Sequence, residues 1–138
     1  MIALADTSAW TTSARDLGVR QRFDQAVLEG RVASCDAVKL ELLYETRNGP
    51  EFSQTRSALD LLPQCTIGPR EWRRALDVYE TLAHQGGIHH RRVKRPDLLI
   101  AAAAESAGVP VLHYDADFDV IAEITGQPTR WIAPRGSL

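Results

Sequence analysis

With 138 residues, 44% apolar and 25% charged, the chain has the composition of a soluble globular protein large enough for a core of its own, not of a disordered segment. Its net charge of −2 excludes a grossly basic nucleic-acid binder but leaves local basic patches open. The longest apolar run, 98–104, is too short to cross a bilayer, and MIALADTSAW lacks the basic n-region of a signal peptide.

Residues 2–5 are predicted as a buried strand ending at Asp6, with Thr7 and Ser8 capping a helix that turns Trp10 inward. A helix over 19–29 carries Phe23, Ala26 and Val27 at helical spacing and stops at Gly30, and 32–35 is a second short strand. Asp36 caps a helix over 37–47, which Asn48, Gly49 and Pro50 end. Another helix over 51–62 closes at Pro63, and 65–67 is a third strand. The long helix over 69–85 starts with proline and directs Trp72, Ala75, Leu76, Tyr79 and Leu82 inward. A polar loop over 86–95 leads to a helix over 96–107, a strand over 109–114, a short helix over 117–124 and a last strand over 129–132. Cys35 and Cys65, in apolar strand-like runs, read as buried thiols of a reducing cytoplasm. With no repeat and no linker, residues 1–138 are expected to form a single domain.

Alternating strands and helices predict an α/β fold whose mostly parallel sheet is covered on both faces. In such sheets the reactive crevice lies beyond the carboxyl ends of the strands. Asp6 ends the first strand there, Asp115 ends the fourth, Asp117 opens the helix after it, and Asp97 opens the helix before it. Each reads equally as a cap or turn residue when taken singly. Glu41 interrupts an apolar helix face and must be paired, neutral or bound to something, whereas Glu45 and Asp119 are expected to face solvent. Several carboxylates converging on one end of a sheet repel one another unless a cation offsets them. An all-oxygen set suits Mg²⁺ or Mn²⁺, and no zinc spacing of histidines and cysteines occurs.

LADTSAW, KLELLYE, RPDLLIAAAAE and LHYDADFDVIA followed by TGQPTRWIAP, in this order and spacing, resemble the PIN-domain family, and within it the ribonuclease toxins of VapBC toxin–antitoxin pairs. The resemblance spans almost the whole chain. It implies a three-layer sandwich with strand order 3-2-1-4-5 and Mg²⁺ or Mn²⁺ as cofactor. Asp6, Asp97, Asp115 and Asp117 match the metal-binding acids, and Asp6, Glu41, Asp97 and Asp115 the catalytic set. Thr7 and Ser8 match hydroxyl positions that order the site and meet substrate. The implied activity is endonucleolytic hydrolysis of RNA by metal-activated water. The implied partners are RNA, a second copy of the chain and a VapB-type antitoxin.

An acidic pocket needs a basic rim to admit a phosphodiester, and HHRRVKR (89–95), with Arg91 and Arg92, is placed to supply one. The antitoxin is expected to dock along helices 37–47 and 51–62 and to place a basic side chain near Asp6, Asp97 and Asp115. A phosphoacceptor receiver domain is the rival α/β reading, but the third strand ends Thr66, Ile67, Gly68 without the required aspartate, and the last strand has no lysine. A non-catalytic binding module with remnant acids is the other, separated by metal-dependent turnover on RNA.

Overall fold

The computed structural model describes residues 1–86 and 89–138. Four parallel strands, β1 (Ala3–Ala5), β2 (Val32–Ala33), β3 (Val111–His113) and β4 (Thr129–Trp131), lie in the order β2-β1-β3-β4. Parallel neighbours require crossovers, which seven α-helices among the described residues supply: α1 (Thr7–Arg15), α2 (Leu17–Leu28), α3 (Asp36–Tyr44), α4 (Gly49–Asp60), α5 (Pro69–His84), α6 (Arg95–Ala107) and α7 (Asp117–Thr125).

Alternation along the strands sends successive side chains to opposite faces and so divides the core in two. Leu4, Ala33 and Val111 pack with Val38 of α3, Val78 and Leu82 of α5, Ile100 of α6 and Phe118 of α7. Ala5 and Val32 face the other way, onto Ala9 of α1 and Phe23 of α2. The small residues of α6, Ala101 to Ala104, are all buried, and the helix ends at Gly108, whose φ of 70° takes the left-handed conformation of a C-cap. Both cysteines are buried and free, and burial pushes the Cys35 thiol up to about 11.

Three expectations need correction. The strand predicted over 65–67 is reduced to one parallel bridge, Ser34 to Gln64, beside β2. Pro63 has no N–H to donate and Pro69 already starts α5. Only two ladder bonds fit between them: Ser34 N donates to Pro63 O and Cys65 N to Ser34 O. The sheet therefore has four strands instead of five, with the vestigial fifth at the edge that the order 3-2-1-4-5 assigns it.

Trp72 and Leu76, predicted to point inward, are 55% and 62% exposed, because α5 meets the core with Ala75, Val78 and Leu82 and leaves the flank of its apolar stripe outside. The cap of α1 is Asp6 rather than Thr7 or Ser8. Of the predicted loop 86–95, Gly87 and Ile88 lie outside the described residues, and a 3₁₀ turn, His89–Arg91, precedes α6. Among the described residues no helix is long and apolar enough to cross a membrane.

Candidate active site

The ends of β1 and β3 and the starts of α6 and α7 meet at the carboxyl edge of the sheet, and an acid stands at each. Asp6 follows β1 and is buried. Its Oδ2 accepts from Ser8 N (3.0 Å) and Ser8 Oγ (2.6 Å), capping α1, while its Oδ1 is buried without a hydrogen-bond partner among the described residues. Burial raises the Asp6 pKa, against the lowering effect of the Ser8 bonds. The cap reading and the ligand reading thus apply to different oxygens of one carboxylate. Ser8 Oγ in turn accepts from Tyr114 N at 2.8 Å, tying the start of α1 to the end of β3.

Asp97 lies in the first turn of α6, held by Pro96 and the apolar helix behind it, and is only 4% exposed. Its Oδ2 has no hydrogen-bond partner among the described residues. Burial, then the charge of Asp6, pushes its pKa up to about 8, against the pull of Lys94. Asp115 and Asp117 form the turn between β3 and α7, where Asp117 N donates to Asp115 Oδ1 at 2.9 Å. One oxygen from each of Asp97, Asp115 and Asp117 lies within 4.8 Å of the others, the spacing a single cation spans. Asp6 falls outside that triad but close enough for its charge to act on Asp97.

Glu41, half-buried on α3, accepts from Thr7 Oγ1 at 2.8 Å. Both hydroxyls of the DTS motif therefore bind acids of the site, Thr7 holding Glu41 and Ser8 holding Asp6. Glu45 is exposed, as expected. Arg91 and Arg92 are exposed and line an open cleft of about 490 Å³ with Tyr79, Lys94 and Arg95. Arg74 is tied to Glu105 by two bonds of 2.8 and 3.1 Å, away from the acids.

Two residues escaped sequence reasoning. Lys94 places its Nζ 2.6 Å from Asp115 Oδ2, 3.2 Å from Asp117 Oδ2 and 3.8 Å from Asp97 Oδ2. Partial burial works against its charge, but the bond to Asp115 and the neighbouring carboxylates outweigh this and raise its pKa. The available signal was KRPD, a lysine three residues ahead of a first-turn aspartate. Asp119 is the other: instead of facing solvent freely, it accepts from Trp131 Nε1 at 3.1 Å and stands 3.9 Å from Nε2 of the fully buried His113.

Asp119→Ala, which removes the acceptor for the Trp131 indole, is expected to lower stability by about 1–2 kcal/mol in urea unfolding and leave turnover near wild type. Asp119→Asn keeps a carbonyl acceptor and should cost little in either assay. Loss of turnover in both variants would make Asp119 part of the chemistry.

A parallel sheet with acids from four elements gathered at its carboxyl edge defines an α/β protein with a candidate cation site, and the PIN domain profile matches residues 3–124. Ribonuclease VapC18 of Mycobacterium tuberculosis (strain ATCC 25618 / H37Rv) is 44% identical over 138 residues, covering 100% of both chains. Ribonuclease VapC51 of the same strain is 41% identical over 135 residues, 98% of this chain and 96% of that protein. The fold is shared with a DNA-bound VapBC structure from Salmonella typhimurium (TM-score 0.70, 18% identity, 96% of this chain and 100% of that one). It is also shared with VapBC2 from Rickettsia felis bound to a promoter fragment (TM-score 0.66, 18% identity, 95% and 98%). The chain belongs to the PIN-domain family and, within it, to the VapC group.

Proposed function

We propose that this protein, one domain over residues 1–138, is the toxin of a VapBC-type pair: a cytoplasmic, Mg²⁺- or Mn²⁺-dependent endoribonuclease restrained by a cognate antitoxin. One observation carries the reading. In a chain 44% identical to a ribonuclease along its full length, the acids at the sheet edge are poised for a cation, with Asp6 Oδ1 and Asp97 Oδ2 buried and unpartnered. Burying such oxygens without a partner is costly, and a hard divalent ion satisfies them.

Asp97, Asp115 and Asp117, with Asp6 beside them, would hold the ion. When bound, it supplies an activated water and charge stabilisation at the scissile phosphate. Asp97, with its pKa near 8, carries a proton through much of the neutral range and gives it up when it becomes a ligand. Glu41, which accepts a hydrogen bond from Thr7, would orient the attacking water and take its proton. Arg91 and Arg92 draw in the RNA backbone, which the acids alone would repel.

Two grooves would take the protein partners. Trp10, Val27, Leu42, Ala58, Leu59 and Leu62, rimmed by polar residues such as Glu45 and Gln54, line a cleft of about 580 Å³ between the α1–α2 pair and the α3–α4 pair, where an antitoxin helix would dock. Its basic tail would reach Asp6, Asp97 and Asp115. Leu40, Trp72, Leu76, Leu98 and Leu99 line a second groove beside Glu41, which a second copy of the chain would cover.

Purified protein should cleave RNA with Mg²⁺ or Mn²⁺, stop in EDTA, recover with added Mn²⁺, and stop again with the cognate antitoxin. Full cleavage in excess EDTA would remove the metal from the proposal.

A further inference from the structure

The cationic tip of Lys94 sits among the carboxylates that would ligate a metal. Lys94 caps the start of α6, and its backbone N donates to Asp117 Oδ2 at 3.2 Å, so its side chain is tethered at the mouth of the site. Its Nζ contacts Asp115 (2.6 Å) and Asp117 (3.2 Å) and stops 3.8 Å short of Asp97. These are the three acids whose oxygens lie within 4.8 Å of one another. The side chain is 62% exposed, so the tip is able to leave without unpacking the core.

The ammonium is an incomplete occupant. It brings a single charge and leaves Asp97 Oδ2 and Asp6 Oδ1 without hydrogen bonds among the described residues. A divalent ion binds the same oxygens at about 2.0–2.6 Å and offsets twice the charge. Two cations a few ångströms apart among these oxygens repel strongly in a partly dry site, so the stronger ligand-binder excludes the weaker. The same side chain also lines the cleft that holds Arg91, Arg92 and Arg95, where a freed ammonium meets the path of a phosphate backbone.

We propose that Lys94 is the resident counter-ion of the acidic cluster in the metal-free protein, and that a divalent ion takes its place. The displaced ammonium turns to the arginine-lined cleft and becomes a positioning group for the RNA backbone. This rests on the reading of the acids as a divalent-metal site. Metal loading and substrate grip are thereby linked: the basic rim is complete only when the metal is in.

The chain has only two lysines, Lys39 and Lys94. Lys39 pairs with Asp60 (2.9 Å) and Asp36 (3.3 Å) and serves as an internal reference. In protein labelled with ¹⁵N-lysine, Mg²⁺ should shift the Lys94 Nζ resonance and speed its hydrogen exchange, leaving Lys39 unchanged. Mn²⁺ binding, read from the spectrum of the free ion, should tighten about tenfold or more in Lys94→Met. It should weaken in Lys94→Arg, whose planar fork grips carboxylates more firmly at the same charge. Metal-free Lys94→Met should melt lower than wild type, and its RNA binding in Mg²⁺ should be weaker, with a salt dependence shallower by about one charge.

An unchanged Lys94 signal at saturating Mg²⁺, or equal Mn²⁺ affinity in wild type, Met and Arg variants, overturns the proposal while leaving the metal site standing. Failure of all three proteins to bind Mn²⁺ overturns the metal site and the proposal with it. Binding confined to Lys94→Met supports the proposal.

Discussion

Asp97→Asn is expected to lower RNA cleavage by about 10²–10³-fold, the scale on which losing one preorganised electrostatic contact acts, in a protein that folds and melts higher without metal. Two features separate the effects on activity and stability. The Asp97 carboxylate is buried with an unpartnered Oδ2 and is pushed toward neutrality by Asp6, so little in the metal-free fold depends on its charge. An amide of the same shape removes the repulsion and also a charged ligand. Asp6→Asn should lose activity to a similar extent and hold its stability, since asparagine caps a helix as well as aspartate does. Asp6→Ala should lose about 1 kcal/mol besides, because the bond to Ser8 N goes with the side chain. Turnover by single-turnover RNA cleavage and Tm in EDTA, measured on the same preparations, separate the cases. Wild-type turnover in Asp97→Asn would show that the chemistry lies elsewhere.

In EDTA the Tm should fall by roughly 5 °C between pH 6.5 and 8, and with saturating Mg²⁺ it should hold or rise. In the unfolded chain Asp97 ionises near 3.8, and in the folded protein near 8. Between those values the folded state holds a proton that the unfolded state has released. Stability from this group is therefore greatest at the acid end and declines with rising pH until about 8, by up to about 1.4 kcal/mol per pH unit.

His113 acts in the opposite sense. Burial lowers its pKa below 6.5, so stability rises with pH up to that value, which is why the window opens there. Metal binding requires the ionised acid, so Mn²⁺ affinity should climb by up to about tenfold per pH unit across the same window. Asp97→Asn should flatten the EDTA profile. A metal-free Tm that rises from pH 6.5 to 8 would mean that Asp97 is ionised at neutral pH and that the cluster is held together differently.

The sequence by itself determined which acids stand at the carboxyl edge of the sheet. Asp6 and Asp115 follow strands, and Asp97 and Asp117 begin helices. Each is placed by its own element's boundary, and boundaries are written in nearby residues such as Pro96, Ser8 and the apolar runs behind them. The same local signals set the helices and the alternation of Leu4 and Ala5 that divides the core in two.

What only the tertiary structure decided depends on residues far apart in the chain. Lys94 meets Asp115 and Asp117 across 21 and 23 positions, Glu41 meets Thr7 across 34, and Asp119 of α7 meets Trp131 of β4 across 12. Neither periodicity nor capping chemistry carries information about such partners, because each fixes a side chain's direction relative to its own helix or strand and not what that direction will face. For the same reason α5 turned Trp72 and Leu76 outward. An apolar stripe wider than the contact it makes reads alike in sequence whether its flank is core or surface, and only the packed sheet beneath decides which part is buried.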